Sequence, residues 1–210
     1  MELLEEKVAA YMRGLCDRYD NDVLAAMEKI AEENGFPIVG RTVGACLQMF
    51  TRSIDAKDVF EMGSGYGYSA YWFSTAVGEK GHVTLTDGDP ENAKKAEEHL
   101  TRAGLWSRCS FEVGDAIEAL EKTDGEFDVV YNDIDKGDYP RAFEVARGKV
   151  RVGGYYMCDN VLWSGRVASD DDDAWTQAIR KHNQVIYSDE NFVSSIIPIR
   201  DGVMVALRVS

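Results

Sequence analysis

The chain has 210 residues, of which 45% are hydrophobic, enough for one large folding unit with a well-filled core. This length argues against two independent domains. The 37 Asp and Glu residues outnumber the 23 Lys and Arg residues, which gives a formal net charge of −14. Because nucleic-acid phosphates and anionic lipid headgroups repel so acidic a chain, we expect neither nucleic acid nor a membrane as a partner.

The N-terminal segment Met1–Lys7 lacks the cationic start and the apolar run of a secretory signal peptide. No later apolar stretch reaches the length that crosses a bilayer. These features predict a cytoplasmic protein. The cysteines are too scattered for a CxxC site and too few for a disulfide scaffold, so we expect reduced, mostly buried thiols. They are Cys16, Cys46, Cys109 and Cys158.

The first fifty residues are predicted to be helical, because apolar residues recur there at steps of three and four. One such stripe covers Leu4–Leu15 and a second covers Val23–Ala31. The sequence Gly35-Phe36-Pro37 is a stop signal that ends the second helix. A third amphipathic segment lies at about Val43–Thr51. We therefore expect a helical N-terminal segment, residues 1–52.

From residue 58 the pattern changes to short apolar runs that alternate with helical stretches. The predicted strands are Asp58–Met62, His82–Thr86, Ser110–Val113, Phe127–Asn132 and Tyr155–Cys158. The predicted helices between them are about Ser69–Val77, Glu91–Ala103, Ala116–Glu121 and Pro140–Lys149. This alternation predicts right-handed βαβ crossovers and hence a doubly wound, mostly parallel α/β sheet.

The end of the chain differs, because two β-rich runs follow each other directly. Ser194–Ile199 and Val203–Val209 are joined by Arg200-Asp201-Gly202, a turn signal, and this predicts a C-terminal antiparallel hairpin. No internal repeat or flexible linker divides the chain. We therefore predict one domain over residues 1–210, with its α/β core in residues 57–210.

Glycines follow the first predicted strand in the pattern Gly63-x-Gly65-x-Gly67. They let a backbone approach a ligand, and the next helix offers N–H groups to an anion. A dinucleotide-binding G-x-G-x-x-G motif that starts at Gly63 would have its third glycine at position 68. This chain has Tyr68 there, so the motif is absent. Glu61 also argues against a dinucleotide, since its carboxylate would repel a pyrophosphate but could pair with an ammonium group.

Asp87 ends the second predicted strand, about 20 residues after the glycines, where an acidic residue can bind ribose hydroxyls. A ligand with an ammonium group, a carboxylate and a ribose therefore fits this edge of the sheet. S-adenosylmethionine has all three. Gly114-Asp115-Ala116, after the third predicted strand, is placed to meet its adenine.

Acidic and amide side chains follow the fourth and fifth predicted strands. If these strands are neighbours, about 4.8 Å apart, Asp133 and Asp159 face each other with Asn160 beside them. Two bare carboxylates so close would force one to protonate. Together with the amide oxygen they form an oxygen-only set that suits Mg²⁺ and leaves positions open for water and substrate.

Several of these motifs together resemble the cation-dependent O-methyltransferases, the family of catechol O-methyltransferase and the caffeoyl-CoA O-methyltransferases. The matching segments are Glu61–Ser69, Asp87, Gly114-Asp115-Ala116, Asp133-x-x-Lys136 and Asp159-Asn160-Val161-Leu162-Trp163-x-Gly165. The resemblance runs from about Val39 to Arg208 and includes the N-terminal helices and the closing hairpin. It implies a Rossmann-like methyltransferase fold and a homodimer.

The resemblance also implies a role for individual residues. Contacts to S-adenosylmethionine would come from Val39, Glu61, Gly63, Ser64, Ser69, Asp87, Ala116 and Asp133. A divalent metal, Mg²⁺ or another cation, would be held by Asp133, Asp159 and Asn160. Lys136, with Asp133, would be catalytic. The chain departs from the family pattern at Gly65-Tyr66, Asn132 and Ile134.

These residues predict transfer of a methyl group from S-adenosylmethionine to one hydroxyl of a vicinal diphenol bound to Mg²⁺, with Lys136 taking the proton. Because a free lysine is protonated at neutral pH, this role requires its surroundings to favour the neutral amine. Asp170–Asp173 would repel the phosphates of a coenzyme A ester, which favours a small, uncharged or weakly charged phenolic substrate. Alternatively, Asp170–Asp173 is a solvated acidic loop with no role in substrate choice.

Other interpretations remain open. Lys136 could be a surface charge, and Trp163 could either cover the substrate or anchor its loop. A non-catalytic domain that binds S-adenosylmethionine would explain the cofactor residues but not the metal set. Ser69, an aspartate and His182 stand in the chain order of an α/β-hydrolase triad, although the glycine pattern of a nucleophile elbow is incomplete. We interpret the three histidines as structural or surface residues and Cys158 as a core residue.

Overall fold

A computed structural model describes residues 5–210 of the chain. Its α-helices are α1 Glu6–Leu15, α2 Asp22–Asn34, α3 Gly40–Ser53, α4 Tyr68–Val77, α5 Pro90–Arg102, α6 Ala116–Lys122, α7 Tyr139–Ala146 and α8 Ala174–Ser188. Its strands are β1 Asp58–Met62, β2 His82–Asp87, β3 Cys109–Val113, β4 Phe127–Asn132, β5 Val150–Cys158, β6 Phe192–Ile197 and β7 Val203–Arg208. Leu4, predicted to open the first helix, lies outside the described residues.

Helix α2 has a capping residue at each end, and α3 extends from Gly40 to Ser53, beyond the predicted Val43–Thr51. The side chain of Asn21 accepts hydrogen bonds from the N–H groups of Val23 and Leu24 and so caps α2. Gly35 ends this helix with φ 62°, a left-handed conformation that suits glycine. Within residues 5–210, no helix is long and apolar enough to cross a membrane.

The seven strands form one sheet in the order β3-β2-β1-β4-β5-β7-β6. Strands β1 to β5 pair in parallel, while β7 runs antiparallel to both β5 and β6. The predicted doubly wound sheet with a C-terminal antiparallel hairpin is therefore confirmed. The chain builds outward from β1 to β3 and then returns to place β4 on the other side of β1, so the strand order reverses between β1 and β4.

Helices cover both faces of this sheet because its strands are apolar on both sides. One buried cluster joins Val59 and Tyr131 to residues of the helices α2 to α5, including Leu47 and Trp72. The other joins strand residues to α6, α7 and α8, and it contains Cys158, which is fully buried as predicted. Alternate residues of each strand thus point to opposite helical layers.

Strand β5 and helix α8 differ most from the predictions. Strand β5 begins at Val150 rather than Tyr155, because Gly153 and Gly154 interrupt the apolar pattern without ending the strand. Helix α8 was not predicted, since it directly follows the acidic run. Its side chains at positions 179, 182 and 186 are buried at helical spacing, but one of the three is a histidine, which weakens the apolar stripe.

Candidate active site

Four strands end level with one another at the carboxyl edge of the sheet. Met62 of β1 pairs with Thr86 of β2 and, on its other side, with Asn132 of β4. Asn132 in turn pairs with Cys158 of β5. The residues that come next form a row across this edge: Asp87, Gly63, Asp133 and Asp159. The row spans the point where the strand order reverses, which is where open α/β sheets bind ligands.

The glycine loop is shaped by contacts that only glycine permits. Gly63 has φ 81°, and a Cβ atom there would lie 2.5 Å from the carbonyl oxygen of Asp133. Asp87 fixes the loop from the neighbouring strand, because its Oδ2 accepts a hydrogen bond of 3.0 Å from the N–H of Gly65. The carboxylate of Asp87 therefore holds the loop in place as well as facing the adjoining cavity.

A cavity of about 460 Å³ opens above the row of strand ends. Ten of the eleven predicted site residues line it: Val39, Gly63, Ser64, Ser69, Asp87, Ala116, Asp133, Lys136, Asp159 and Asn160. The eleventh, Glu61, is buried beneath it at the end of β1 and does not line it. The fold thus brings residues from positions 39 to 160 to one place, although their roles stay predictions.

Glu61 carries a buried carboxylate whose two oxygens have no hydrogen-bond partner. Burial raises the pKa of this group to about 7. The nearby hydroxyls of Ser69 and Ser64 lower the pKa in part, and the charges of Asp133 and Asp87 raise it further. An acceptor pair left without donors is costly inside a protein. Because Glu61 lies beneath the cavity, a cationic ligand group would satisfy its carboxylate by reaching through the cavity floor.

Asp133 and Asp159 form an acidic pair, in which the charge of one carboxylate affects the other. Burial raises the pKa of both, and the charge of Asp133 raises that of Asp159 further. Asp159 is 4% exposed, and its Oδ1 has no hydrogen-bond partner. Asn160 lies next to it, with its Nδ2 donating weakly to Asp159 Oδ2 at 3.4 Å. Asp159 is therefore poorly neutralised by the protein alone.

This donor set fits a divalent cation. Two carboxylates and an amide supply hard oxygen ligands, and a cation would relieve both the mutual repulsion and the unpartnered oxygen of Asp159. In the chain from residue 5 to 210, no cluster of three or more His, Cys, Asp or Glu side chains could hold a metal. The predicted set contains only two such residues, and its third donor is Asn160.

Lys136 is not a solvated surface charge. Its Nζ donates to Asp133 Oδ1 at 3.1 Å and to the carbonyl oxygen of Ile134 at 3.2 Å. It also lies 5.4 Å from the centre of the Tyr139 ring, and its side chain is 15% exposed. The short helical turn Lys136–Asp138 that follows β4 holds it against the acidic pair. The amine is thus close to any group bound at these carboxylates.

The rim of the site has unusual backbone conformations. Four non-glycine residues there have positive φ angles between 47° and 58°: Asn160, Trp163, Ser164 and Arg200. The loop after β5 and the loop before β7 hold each other, since the N–H groups of Val161 and Leu162 donate to carbonyl oxygens of Gly202 and Asp201. Such backbone strain concentrates at functional sites. Arg200 was predicted only as a turn residue, so its place in the site was missed.

A second, larger cavity of about 1,020 Å³ adjoins the first. It lies between α1, α3 and the two strained loops, and Ile38, Asn160 and Arg200 line both cavities. Its remaining lining includes Met12 and Ile199, which give it apolar walls. A ligand group in the first cavity and an acceptor in the second could therefore meet beside Asn160.

Two sequence expectations about this rim are changed by the structure. None of the residues Asp170–Asp173 lines either cavity; Asp171 pairs with Arg166, and Asp173 caps α8. Their predicted repulsion of a coenzyme A ester therefore loses its basis. Trp163 packs 6.1 Å from Trp175 and lines neither cavity, which favours its role as an anchor for the loop.

The hydrolase alternative lacks its triad. His182 is buried, and its ring nitrogens pair with the hydroxyl of Tyr156 at 3.0 Å and with Asn183 Oδ1 at 3.1 Å. Burial lowers the pKa of this histidine to about 4. His182 therefore pairs with neither Ser69 nor Asp133 or Asp159. It has a structural role, as a buried residue bonded to Tyr156 and Asn183.

The departures from the family pattern have structural partners. Asn132 is fully buried and donates to the Tyr156 hydroxyl at 3.1 Å, so it joins the polar cluster around His182. Tyr66, which borders the smaller cavity, packs on Phe36 with ring centres 4.7 Å apart and donates through its hydroxyl to the carbonyl oxygen of Met27. Both polar groups are thus satisfied inside the fold. Ile134 packs against the buried cluster of α6 to α8.

Comparison with known proteins agrees with this geometry. Residues 16–209 match the family model described as O-methyltransferase. A catechol O-methyltransferase of Niastella koreensis is 31% identical over 188 residues, which cover 86% of this chain and 85% of that protein. A methyltransferase from Geobacter sulfurreducens has a TM-score of 0.85 at 25% identity and covers 99% of this chain and 100% of its own.

The O-methyltransferase TomG from Streptomyces achromogenes, solved in complex with S-adenosylmethionine, has a TM-score of 0.83 at 25% identity and covers 91% of each chain. The family match extends from the helical segment before α2 to the end of the closing hairpin. With a relative 31% identical over most of both chains, it confirms the family resemblance and the expectation of an enzyme. The chain therefore belongs to the O-methyltransferase family.

Proposed function

We propose that the protein transfers the methyl group of S-adenosylmethionine to one hydroxyl of a vicinal diphenol, with a divalent cation such as Mg²⁺ at Asp133, Asp159 and Asn160. The observation that carries this proposal is the pair Asp133 and Asp159, in which Asp159 keeps an unpartnered oxygen, beside a cavity that ten predicted site residues line. The S-adenosylmethionine bound to TomG supports the choice of methyl donor.

The donor would occupy the smaller cavity. Its ammonium group would meet the unpartnered carboxylate of Glu61, and its ribose hydroxyls would meet Asp87. Gly63 lines this cavity, and because glycine has no Cβ atom its backbone could lie close to the methionine part. Ala116, at the N-terminus of α6, lies where the adenine would pack.

The acceptor would enter through the larger cavity. Asp133, Asp159 and Asn160 would hold the cation, which when bound lowers the pKa of an attached hydroxyl and fixes both diphenol oxygens. Lys136 Nζ pairs with Asp133 at 3.1 Å in the absence of a cation; a cation held at Asp133 would compete for that carboxylate, and the released amine would then take the proton of the reacting hydroxyl. The oxygen–methyl bond then forms as the sulfur–methyl bond breaks, which leaves S-adenosylhomocysteine and a methyl ether. The protein's contribution is orientation and electrostatics.

A panel assay tests this proposal. Wild-type protein is incubated with S-adenosylmethionine, Mg²⁺ and either catechol, resorcinol or phenol, and methylated products are quantified. Only the vicinal diphenol should be methylated, because only its two oxygens can share one cation. Equal methylation of phenol would contradict the proposed substrate class, and no methylation of catechol would contradict the proposed reaction.

We also propose a homodimer in the cytoplasm. Apolar side chains on α1 are 44–69% exposed at Val8, Tyr11 and Leu15, and Met49 of α3 is 58% exposed. A second copy could cover such a surface. The four cysteines form no disulfide, which is compatible with a reducing compartment. Light scattering that gives a 23.4 kDa particle over a wide concentration range would contradict the dimer.

A further inference from the structure

Arg200 lies where the donor and acceptor cavities meet. It belongs to the loop before β7, and it lines both cavities together with Ile38 and Asn160. A molecule bound beside Asn160 would therefore lie close to this guanidinium group.

The other cations of the site already have acidic partners. Lys136 pairs with Asp133 at 3.1 Å, Arg41 pairs with Glu28 at 2.7 Å, and Arg13 pairs with Glu6. These pairs leave their positive charges largely compensated, and a ligand anion would have to compete with a protein carboxylate for them. An additional anion is bound most favourably by a cation that has no such partner.

Arg200 has no such partner among residues 5–210. It forms no salt bridge there, and its one hydrogen bond runs from Nη1 to the carbonyl oxygen of Ile38. Its Nε and Nη2 groups therefore keep their donors. A guanidinium edge with two parallel N–H groups matches the two oxygens of a carboxylate. Asp17 and Asp201 also line the larger cavity, so any preference for an anion is local to the guanidinium group of Arg200.

The backbone holds Arg200 in this place at a cost. Its φ is 47°, in the left-handed region that an arginine rarely adopts. Gly40 makes room for the side chain, because a Cβ atom there would lie 3.1 Å from Arg200 Nη1. The next turn is closed by the N–H of Gly202, which donates to the carbonyl oxygen of Ile199 at 2.9 Å. Strain retained at a site often serves its function.

We propose that Arg200 binds a carboxylate group on the acceptor, so that the preferred substrate is an acidic vicinal diphenol. The proposal rests on the proposed function, because it assumes that the diphenol oxygens lie at Asp133, Asp159 and Asn160. The ring then extends toward the larger cavity with its acid group at Arg200. The subsite selects one small planar anion and keeps the reacting hydroxyls at the acidic pair.

The test compares two acceptors of similar size, 3,4-dihydroxybenzoate and its neutral amide 3,4-dihydroxybenzamide. Wild type should have a kcat/KM at least about tenfold higher for the acid, as expected for one charge-assisted hydrogen-bonded pair. Arg200→Gln should bring the ratio of kcat/KM for the acid to kcat/KM for the amide close to one, whatever its effect on the rate common to both acceptors. Arg200→Gly, which also relieves the positive φ, should do the same if Arg200→Gln folds poorly.

Arg52→Gln is the matched control, since Arg52 is an exposed arginine at the end of α3 that lines neither cavity. It should keep the wild-type preference for the acid. Equal use of acid and amide by wild type, or a preference that survives both Arg200 variants, would overturn the acid subsite and leave the proposed function intact. Failure of wild type to methylate either compound or catechol would overturn both.

Calorimetric titration separates the acceptor carboxylate from that of the methyl donor. Arg200→Gln should bind S-adenosylhomocysteine with a Kd within about twofold of wild type, while its affinity for 3,4-dihydroxybenzoate falls about tenfold. If the variant instead loses affinity for S-adenosylhomocysteine and retains it for the benzoate, Arg200 holds the donor's carboxylate and the acceptor subsite is wrong.

Discussion

Two aspartates at opposite ends of the same sheet have opposite surroundings. Asp128, near the start of β4, accepts hydrogen bonds from the N–H groups of Lys57 at 2.6 Å and Asp58 at 2.8 Å, and it pairs with Arg151. Burial raises the pKa of Asp128, but these donors outweigh burial and hold the pKa below its ordinary value. The negative charge of Asp128 is therefore neutralised by hydrogen bonds and an ion pair within the protein.

Asp159, just after β5, is the reverse case. Burial and the charge of Asp133 raise its pKa, and one of its oxygens has no partner. Glu61, at the end of β1, also lacks partners for its carboxylate. Asp128 at the amino end of the sheet is therefore neutralised by the protein, whereas Asp159 and Glu61 at the carboxyl end keep oxygens that a ligand could pair with. Replacement of Asp128 should therefore lower stability, whereas replacement of Asp159 or Glu61 should lower ligand binding or activity.

The largest effect is expected from Asp159→Ala. Loss of this carboxylate should lower the rate of catechol methylation by on the order of 10³-fold, because a bound cation supplies several kcal/mol of stabilisation. The melting temperature of the metal-free protein should stay close to that of wild type, since an unpaired buried charge is lost. Activity is measured by product formation and stability by thermal denaturation in chelator. Retention of the wild-type rate would contradict the assignment of Asp159.

Lys136→Met should lower kcat by about 10²-fold, as expected for loss of a general base. Binding of S-adenosylhomocysteine should change little, because Lys136 lies at the acidic pair rather than at Glu61. Lys122→Met, which alters an exposed lysine paired with Glu118, is the matched control and should keep the wild-type kcat. If both variants show the same kcat, Lys136 does not take the proton.

Glu61→Gln should weaken S-adenosylhomocysteine binding by about 10- to 100-fold, the range for a hydrogen bond to a charged group. In wild type the pKa of Glu61, about 7 without ligand, also makes binding depend on pH. Affinity should fall as the pH drops below 7, because the carboxyl must lose its proton to pair with an ammonium group. The variant should lack this dependence. Calorimetry between pH 5.5 and 8.5 distinguishes these outcomes, and a parallel slope in both proteins would contradict the pairing.

The same group should also affect the stability of the ligand-free protein. Its folded-state pKa lies above the value of an exposed glutamate, so its contribution is fully present below the unfolded pKa and is lost as the pH rises through about 7. Between pH 5 and 8, ligand-free wild type should lose more stability than Glu61→Gln. Denaturant titrations at each pH measure the difference, and equal losses would exclude a raised pKa at Glu61.

Asp128→Ala should have the smallest effect on activity and the clearest effect on stability. Loss of its hydrogen bonds should cost about 2 kcal/mol, which corresponds to about 4–8 °C in melting temperature for a chain of this size. The kcat for catechol should stay within about twofold of wild type, because Asp128 lies at the end of the sheet remote from the cavities. A large loss of kcat without loss of stability would break the contrast between the two ends.

The fold and most of the candidate site could be predicted because they depend on local pattern and strand order. The apolar runs that end at Met62, Asn132 and Cys158 predict three strands, and their register then brings the following residues together. No long-range information is needed beyond the neighbour relation of β4 and β5. The family resemblance supplied the individual roles, which the spacing alone does not define.

What could not be predicted depends on contacts between distant loops. Arg200 enters the site only because the loop before β7 packs on the loop after β5, and its positive φ leaves no sequence signal in a non-glycine residue. The run Asp170–Asp173 suggests one charged patch, but Asp171 pairs with Arg166 and Asp173 caps the N-terminus of α8. Sequence composition gives the charges but not their partners.

The most direct test of the account is the cation dependence of catechol methylation by wild-type protein. The enzyme is dialysed against chelator and supplied with S-adenosylmethionine and catechol, and the initial rate is measured while free Mg²⁺ is titrated from zero. The account predicts no turnover above background in chelator and a saturable recovery with Mg²⁺, because the acidic pair binds the cation that orients both hydroxyls. A full rate in chelator, unchanged by added Mg²⁺, would contradict it.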